Sequence, residues 1–385
     1  MMDLIIKIGR KKYTGWKSVS ISKSMGSIAA AIQLAFFEEL SGKFKQIWGI
    51  HEGDQIEVIA DDKMFFKGYI DDINNSGNAD SHQLTAAGRE LTCDLVDCSH
   101  EGPPNEWVNI SLLDLVTVLC EPFRRITVEG DPSALSTYAH TTRKFDKVVY
   151  QQGDSIFTTI SKHCKMRGLL PLLEYDERGN AILWLTRAGS ERAEGAIING
   201  KEMDMYFRDK GQNALSWAVG SSFRDRFSKY IVKGQGNTTF NVTGEEGLET
   251  VTEPVGEDTD SAVGRPRPLI IVAEGPGNVG VMRERAKWEA MTRAGKSCKA
   301  SYTIPGWHQN NGEPWHLNSL VPVRDDIGGV NADLLVDSLT QTFEEGSGTL
   351  TKLDLVHPDT YTMPTETGQA SGITSEFDPL QPEGS

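Results

Sequence analysis

Carboxylates near aromatic side chains are the first place to look for chemistry in this chain. Glu174, Asp176 and Glu177 cluster together, and Asp71 is followed by Asp72. Two carboxyl groups flanking a glycosidic bond are what glycoside hydrolysis requires. The stretch from Pro305 to Trp315 adds Trp307 and Trp315 between glycines and prolines, and aromatic faces can cover the apolar faces of sugars. Together these features would suit a peptidoglycan hydrolase, or a carbohydrate-binding protein with no chemistry of its own. The simpler readings are preferred. Glu174, Asp176 and Glu177 fall in or beside an expected hairpin turn, and Asp71 with Asp72 follows an expected strand, where solvated charges are ordinary. The aromatic stretch reads as a hairpin loop packed by its own tryptophans.

Other reactive patterns fail on spacing. His308 and His316 are the closest histidine arrangement, but no helical histidine pair with a glutamate is present, so the zinc hydrolase motif is missing. Gly275-Pro276-Gly277-Asn278-Val279-Gly280 precedes an expected helix, yet no Gly-Lys-Ser/Thr follows and Pro276 lacks a backbone donor. Gly346-Ser347-Gly348 is a turn and not a nucleophile elbow. The cysteines, Cys93, Cys98, Cys120, Cys164 and Cys298, are odd in number and scattered through apolar stretches, which fits reduced core residues better than a disulfide framework. Cys93 and Cys98 have no second pair with ligand spacing to complete a zinc site. No catalytic residue, cofactor or metal ligand is assigned.

The elements that would carry these residues begin with short strands. Leu4–Ile8, Ser18–Ser22, Ile32–Phe37, Gln55–Ala60, Met64–Ile73 and Leu84–Ala87 read as β, with a turn at Asp61-Asp62-Lys63, and suggest a small antiparallel barrel. Ser111 opens a capping box ahead of a helix that Pro122 stops, and a second helix runs from near Asp154 to Gly168 with Ile156, Ile160 and Cys164 on one face. Lys147–Tyr150 reads as a strand between them, and Pro171–Leu185 as a hairpin turning at Asp176–Asn180. Residues 234–264 are acidic, without lysine or arginine, and read as a mobile loop. Asn278 would cap a helix running to Ala294, with Val281, Arg285, Trp288 and Thr292 on one side and Gly295 as its stop. Ala300–Ile304, Leu320–Arg324, Leu334–Phe343 and Thr349–Val356 form a second β module. Both modules carry a strand that ends at paired aspartates, Asp61-Asp62 and Asp325-Asp326, before a long strand and another hairpin.

With 385 residues the chain exceeds one ordinary hydrophobic core. The expected fold class is mainly β with α+β inserts, and two small antiparallel β-barrel modules per chain. The expected domains are 1–100, the first barrel; 101–175, an α+β insert; 176–235 with 298–361, the second barrel; 236–297, the acidic loop with a helix; and 362–385, a tail rich in Thr, Ser, Gly, Pro and acids. A formal net charge of -15 opposes binding to DNA phosphates. No stretch approaches the ~18 apolar residues of a membrane span, and the start lacks a basic n-region. The expectation is a chain made and folded in a cytoplasm, without stable membrane insertion.

Three segments carry a resemblance. Phe223-Arg224-Asp225-Arg226-Phe227-Ser228-Lys229-Tyr230 runs into Ile231-Val232-Lys233-Gly234; Arg265-Pro266-Arg267-Pro268-Leu269-Ile270-Ile271 follows the acidic gap; and Arg89-Glu90-Leu91-Thr92-Cys93-Asp94-Leu95-Val96-Asp97-Cys98 lies near the front. In chain order the three resemble the baseplate hub proteins of Mu-type contractile-tailed phages and prophages, over most of residues 3–361. The resemblance implies a structural protein of the virion tail baseplate, assembled in the host bacterial cytoplasm. It implies a homotrimer that contacts the tail tube and a central spike protein while DNA passes through without specific binding. Type VI secretion spike proteins share the related architecture; these 385 residues carry no long repetitive continuation of their kind, and the expectation is a phage hub with a separate spike.

The Phe223–Gly234 segment reads as a strand, so alternation puts Arg224 and Arg226 on one face and Asp225 on the other. Two arginines on one face suit carboxylates of a neighbouring subunit. They suit an exposed, salt-bridged strand edge equally well.

Overall fold

The computed structural model describes residues 2–13, 16–39, 49–77, 81–136, 143–200, 212–234, 254–273, 279–361, 363–364 and 370–371. The first ninety residues alternate apolar and polar side chains, and strands follow. They are β1 (Leu4–Ile8), β2 (Lys11–Tyr13), β3 (Ser18–Ser24), β4 (Ser27–Glu39), β5 (Gln55–Ala60), β6 (Lys63–Gly77) and β7 (Ser81–Glu90). Val19 and Ile21 of β3, Ile32 and Leu34 of β4, and Ile56 and Val58 of β5 fill one core. Asp61 and Asp62 both have positive φ, 47° and 64°, as a two-residue type I′ hairpin turn requires. Where β6 and β7 cross, a Cβ on Gly68 would lie 2.0 Å from the Arg89 carbonyl oxygen, and one on Gly88 2.2 Å from that of Tyr69. Only glycine allows so close a crossing.

An α+β unit follows: α1 (Cys93–Asp97), β8 (Glu106–Ile110), α2 (Leu112–Cys120), β9 (Ile126–Gly130), α3 (Pro132–Ser136), β10 (Phe145–Val149), α4 (Ile156–Met166), β11 (Leu170–Tyr175) and β12 (Ala181–Thr186). The Ser111 hydroxyl accepts from Asp114 N, capping α2 at the expected residue, and donates to the Asp114 carboxylate; Ser155 caps α4 by accepting from Thr158 N. Leu115, Val116 and Leu119 of α2 meet Ile156, Ile160 and Cys164 of α4 in one core.

Beyond it come β13 (Glu191–Arg192), β14 (Ile197–Asn199), β15 (Ser216–Ser221), β16 (Lys229–Lys233), β17 (Val255–Thr259), β18 (Pro268–Val272), α5 (Val279–Ser297), β19 (Cys298–Pro305), β20 (Ser319–Asp325), β21 (Val330–Glu344) and β22 (Gly348–Val356). A 3₁₀ turn at Pro358–Tyr361 leads to the short pair β23 (Met363–Pro364) and β24 (Ala370–Ser371). Strands β16–β18 form a separate sheet, ordered β17-β16-β18 and packed on α5.

The two β modules share a single sheet of fourteen strands along the path β15-β19-β22-β21-β3-β4-β7-β6-β5-β1-β2, with β20 beside β21. They are built alike. In sequence order β3, β4, β5, β6, β7 pair as β5-β6-β7-β4-β3, and β15, β19, β20, β21, β22 pair as β20-β21-β22-β19-β15, every pairing antiparallel. Both long strands bulge at an aspartate, Asp71 against β7 and Asp337 against β22. The paired aspartates of the sequence therefore mark an internal repeat.

Several expectations change. The mainly β fold with α+β inserts is present, but no closed barrel is found among the described residues. Strand β20 pairs only as far as Leu335 of β21, and β3 takes up residues 338–344, so the modules join as one sheet. The Phe223–Ser228 stretch is a turn and not a strand; the strand starts at Lys229. The acidic stretch is not all loop, since Val255–Thr259 pairs with β16; residues 235–253 lie outside the described residues. So do the Asn278 cap and most of the tail. Gly295 does not stop α5, which continues to Ser297. A Cβ there would lie 2.8 Å from Thr360 N, so this glycine admits the 3₁₀ turn against the helix. The buried face of α5 carries Met282, Ala286, Glu289, Ala290 and Thr292, set by packing on β16–β18. Asp71 sits in mid-strand, not after a strand's end.

Candidate functional site

The resemblance segments converge on arginines, and the structure shows what these hold. Arg226 is buried, with Nε 2.5 Å and Nη2 3.1 Å from the carboxylate of Asp260, and its guanidinium lies over Phe223. Asp260 comes from the acidic stretch, which sequence reading took as mobile; a lone aspartate after a run of acids gives no signal of a buried partner. Arg267 donates to the carbonyls of Phe223 and Arg224 at 3.0 and 2.8 Å, and its backbone N donates to Ser228 Oγ. Arg293 on α5 donates to Glu289 and to the Asp225 carbonyl, and Phe227 lies between Arg267 and Arg293. The turn is thus stapled from below, while Arg224 and Asp225 stay exposed. Arg224 and Arg226 do not share a face as alternation would have it: one points outward and one into an ion pair within the chain.

Arg89 of the third segment bridges Asp71 on the β6 bulge, at 2.7 Å, and Asp97 on α1, at 2.8 Å. That hydrogen bond holds the Asp97 carboxyl below its ordinary range. Next to it Glu90 is buried and accepts from Ala30 N at 3.3 Å and from Tyr175 Oη at 2.5 Å, with Lys23 Nζ 3.5 Å away. Lys67 N donates to Tyr175 Oη at 2.9 Å. These bonds tie the first repeat to the α+β unit.

The hydrolase and sugar readings can be tested on this joint. Glu174 lines a cavity of about 140 Å³ with Lys23, Lys63, Glu313, Trp315 and His316. Ligand clefts usually run from about 300 Å³ upward. Burial, and then the charge of Glu191, push the Glu174 carboxyl up to about 7. Asp176 does different work: it accepts from Arg178 N, Asn180 N and Asn180 Nδ2 and so holds the hairpin turn, its pKa lowered by the Asn180 bonds first. Glu177 is exposed on that turn. Trp307 is fully buried in the first repeat's core, and Trp315, packed in the second's, reaches only the small cavity, so the two form no open aromatic platform for a sugar. Burial pushes His316 down to about 4, and His308 stands edge-on to Phe65.

Among the described residues no group of three or more His, Cys, Asp or Glu is placed to hold a metal ion. Cys93, Cys120, Cys164 and Cys298 are buried thiols, and Cys98 is exposed rather than in a core. Of the glycine-rich loop, residues 274–278 lie outside the described residues; Gly346–Gly348 is the β21–β22 turn. No helix among the described residues is long and apolar enough to cross a membrane.

Three family models match in chain order: Mu phage baseplate assembly protein GpP-like, N-terminal, over residues 3–90; baseplate hub protein gp44-like, second domain, over 92–183; and Mu phage baseplate assembly protein GpP, fourth domain, over 279–364. The baseplate hub protein gp44 of Escherichia phage Mu is 26% identical over 355 residues, covering 92% of this chain and 87% of that protein. The 43 kDa tail protein of prophage MuSo2 from Shewanella oneidensis superposes with a TM-score of 0.76 at 28% identity, over 94% of this chain and 99% of that one. The tail protein from Neisseria meningitidis MC58 gives 0.70 at 18% identity, over 93% and 99%. Fold and matched domains define a structural protein of a phage tail. Within that class the chain belongs to the Mu-type baseplate hub proteins, and a baseplate hub is part of the virion. Segments 223–234 and 265–271 lie between the matched stretches, in the arginine-stapled unit.

Proposed function

We propose that three copies of this chain form a hollow ring that joins the tail tube to the central spike and surrounds the DNA path, without enzymatic activity. The observation that carries this is the internal repeat: two units with one strand order, joined edge to edge. Three chains would present six such units to a sixfold tube and three whole chains to a threefold spike. Each repeat would act as a small barrel. In the second, Asn213 supports this reading: its side chain accepts from Ile198 N and donates to the Ala196 carbonyl, linking β14 to the residues leading into β15. The domains would be 1–100, 101–175, 176–235 with 298–361, 236–297 and 362–385. Assembly would take place in the host bacterial cytoplasm, and a net charge of -15 would let DNA slide past unbound. Arg224 and Asp225, exposed at the stapled turn, would meet a neighbouring subunit, with Arg226 fixing the turn beneath them.

Electron-microscope class averages of the purified protein test this. Rings with a central opening and six peripheral lobes are expected; compact particles without an opening would overturn it. On a bacterial cell-wall zymogram no clearing is expected. Clearing that vanishes in Glu174→Gln would replace the structural reading with a hydrolase.

A further inference from the structure

The repeat leaves one join open. Within the chain the long strand of the second repeat, β21, pairs along residues 338–344 with the first strand of the first repeat, β3. The corresponding long strand of the first repeat is β6, and the corresponding first strand of the second repeat is β15. Among the described residues β15 pairs only with β19. The ladder of β6 with β5 ends at Tyr69, Ile70 then exchanges backbone hydrogen bonds with Gly53 and Asp54, and from Asp72 to Gly77 the strand pairing found among the described residues is with β7. The geometry points to β6 of one chain pairing antiparallel with β15 of the next, a strand-to-strand seam between copies that repeats the β21–β3 seam within each copy. This inference rests on the ring reading and names the surface that would close the ring.

The register follows from the ladders. Aligning the bulges at Asp71 and Asp337 matches Leu339, Thr340, Thr342 and Phe343 with Ile73, Asn74, Ser76 and Gly77. The pairings of β4 with β3 and β19 with β15 match Val19, Ser20 and Ser22 with Trp217, Ala218 and Gly220. The in-chain pairs Thr340 with Ser22, Thr342 with Ser20 and Phe343 with Val19 then become Asn74 with Gly220, Ser76 with Ala218, and Gly77 with Trp217 of the next chain.

The side chains fit. The outward positions of the first strand are small in both repeats, Ser18, Ser20 and Ser22 against Ser216, Ala218 and Gly220. Bulk is exchanged across the seam, since Phe343 faces Val19 and Gly77 would face Trp217. Neither edge carries a protective device. Ser216–Ser221 has no charge and no proline, and Ile73–Gly77 has neither, whereas sheet edges that stay single are usually blunted by such residues. A head-to-tail contact of this kind closes into a ring when the rotation permits and has no self-complementary face.

Cysteine pairs test it in a Cys98→Ser background. Oxygens of Ser22 and Thr340 lie 3.2 Å apart in the existing seam, so Asn74→Cys on one chain and Gly220→Cys on another should be within disulfide reach. Mixing the two single variants and oxidising should give covalent dimers, and the double variant a covalent trimer, with the Ser76→Cys and Ala218→Cys pair behaving alike. Pairing Ser76→Cys with Gly220→Cys, out of register, should link at least tenfold less. A Cβ at Gly220 would meet no atom within 4 Å in the single chain, so the substitution has room there. Three-chain particles that link at neither in-register pair would overturn this seam and leave the ring reading standing. Particles of one chain would overturn both.

Discussion

The two repeats of the large sheet share a ladder and differ in how it is finished. Strand β3 is held on both sides, by β4 and β21, whereas among the described residues β15 pairs with β19 alone. The paired aspartates differ as well. Asp61 and Asp62 sit in an exposed tight turn. Asp325 is buried and accepts from Asn199 Nδ2 at 2.7 Å, Tyr302 Oη at 2.8 Å, Ile327 N at 3.0 Å and Gly328 N at 2.7 Å. Even the bulge aspartates part company: Asp71 pairs with Arg89, while Asp337 accepts from the Tyr361 hydroxyl. One strand order thus tolerates two fastenings. The first repeat relies on a packed apolar core, which borrows Trp307 from the second; the second adds a polar centre at Asp325.

The largest effect should come from that centre. Asp325→Ala strands four donors, each worth about 1–3 kcal/mol when left unpaired; Ile327 N and Gly328 N lie at a turn that water can reach, so the loss expected in urea unfolding falls at the low end of that sum, about 4–6 kcal/mol. Asp61→Ala loses the bond from Asp3 N and a 3.8 Å contact with His308, both at an exposed turn, and should cost no more than about 1–2 kcal/mol, mostly from its positive φ. Equal losses would erase the distinction. Trp307→Ala should cost about 3–5 kcal/mol and should lower hydrogen-exchange protection in β3–β7 more than in β19–β22, because its ring fills the first repeat's core.

At the joint beside both repeats, the effect depends on pH. The Glu174 carboxyl, ordinarily near 4.5, is raised to about 7. The folded chain keeps this proton where the unfolded chain has lost it, so the group costs stability as pH rises through that window and costs nothing below it. Glu174→Gln stays neutral throughout. Its stability relative to the unaltered chain should climb between those values, by up to about 3 kcal/mol, as read from urea midpoints; a difference independent of pH would contradict this. Arg89→Ala, which cuts a half-exposed bridge, should be the mildest, within about 1 kcal/mol.

Strands were legible where alternation was clean, as at Leu4–Ile8 and Gln55–Ala60, because one face alone is buried. Caps at Ser111 and the turn at Asp176–Asn180 were legible from local hydrogen-bonding chemistry. The repeat left only a trace in the paired aspartates, since strand order is a property of long-range pairing that no local pattern records. The Arg226–Asp260 pair was hidden for the same reason: the partners are far apart in sequence, and an acidic run looks solvated. Alternation misled at Arg224–Arg226, where a turn stapled by Arg267 replaces a strand. The joining of two expected barrels into one sheet was out of reach, because it depends on which strand takes up the second half of β21.

The most direct test of the hub account is the mass of the purified protein in solution, measured by light scattering across protein and salt concentration. A mass near three times the 42.4 kDa of one chain is the predicted result. A single-chain mass that persists at every concentration and salt would contradict it.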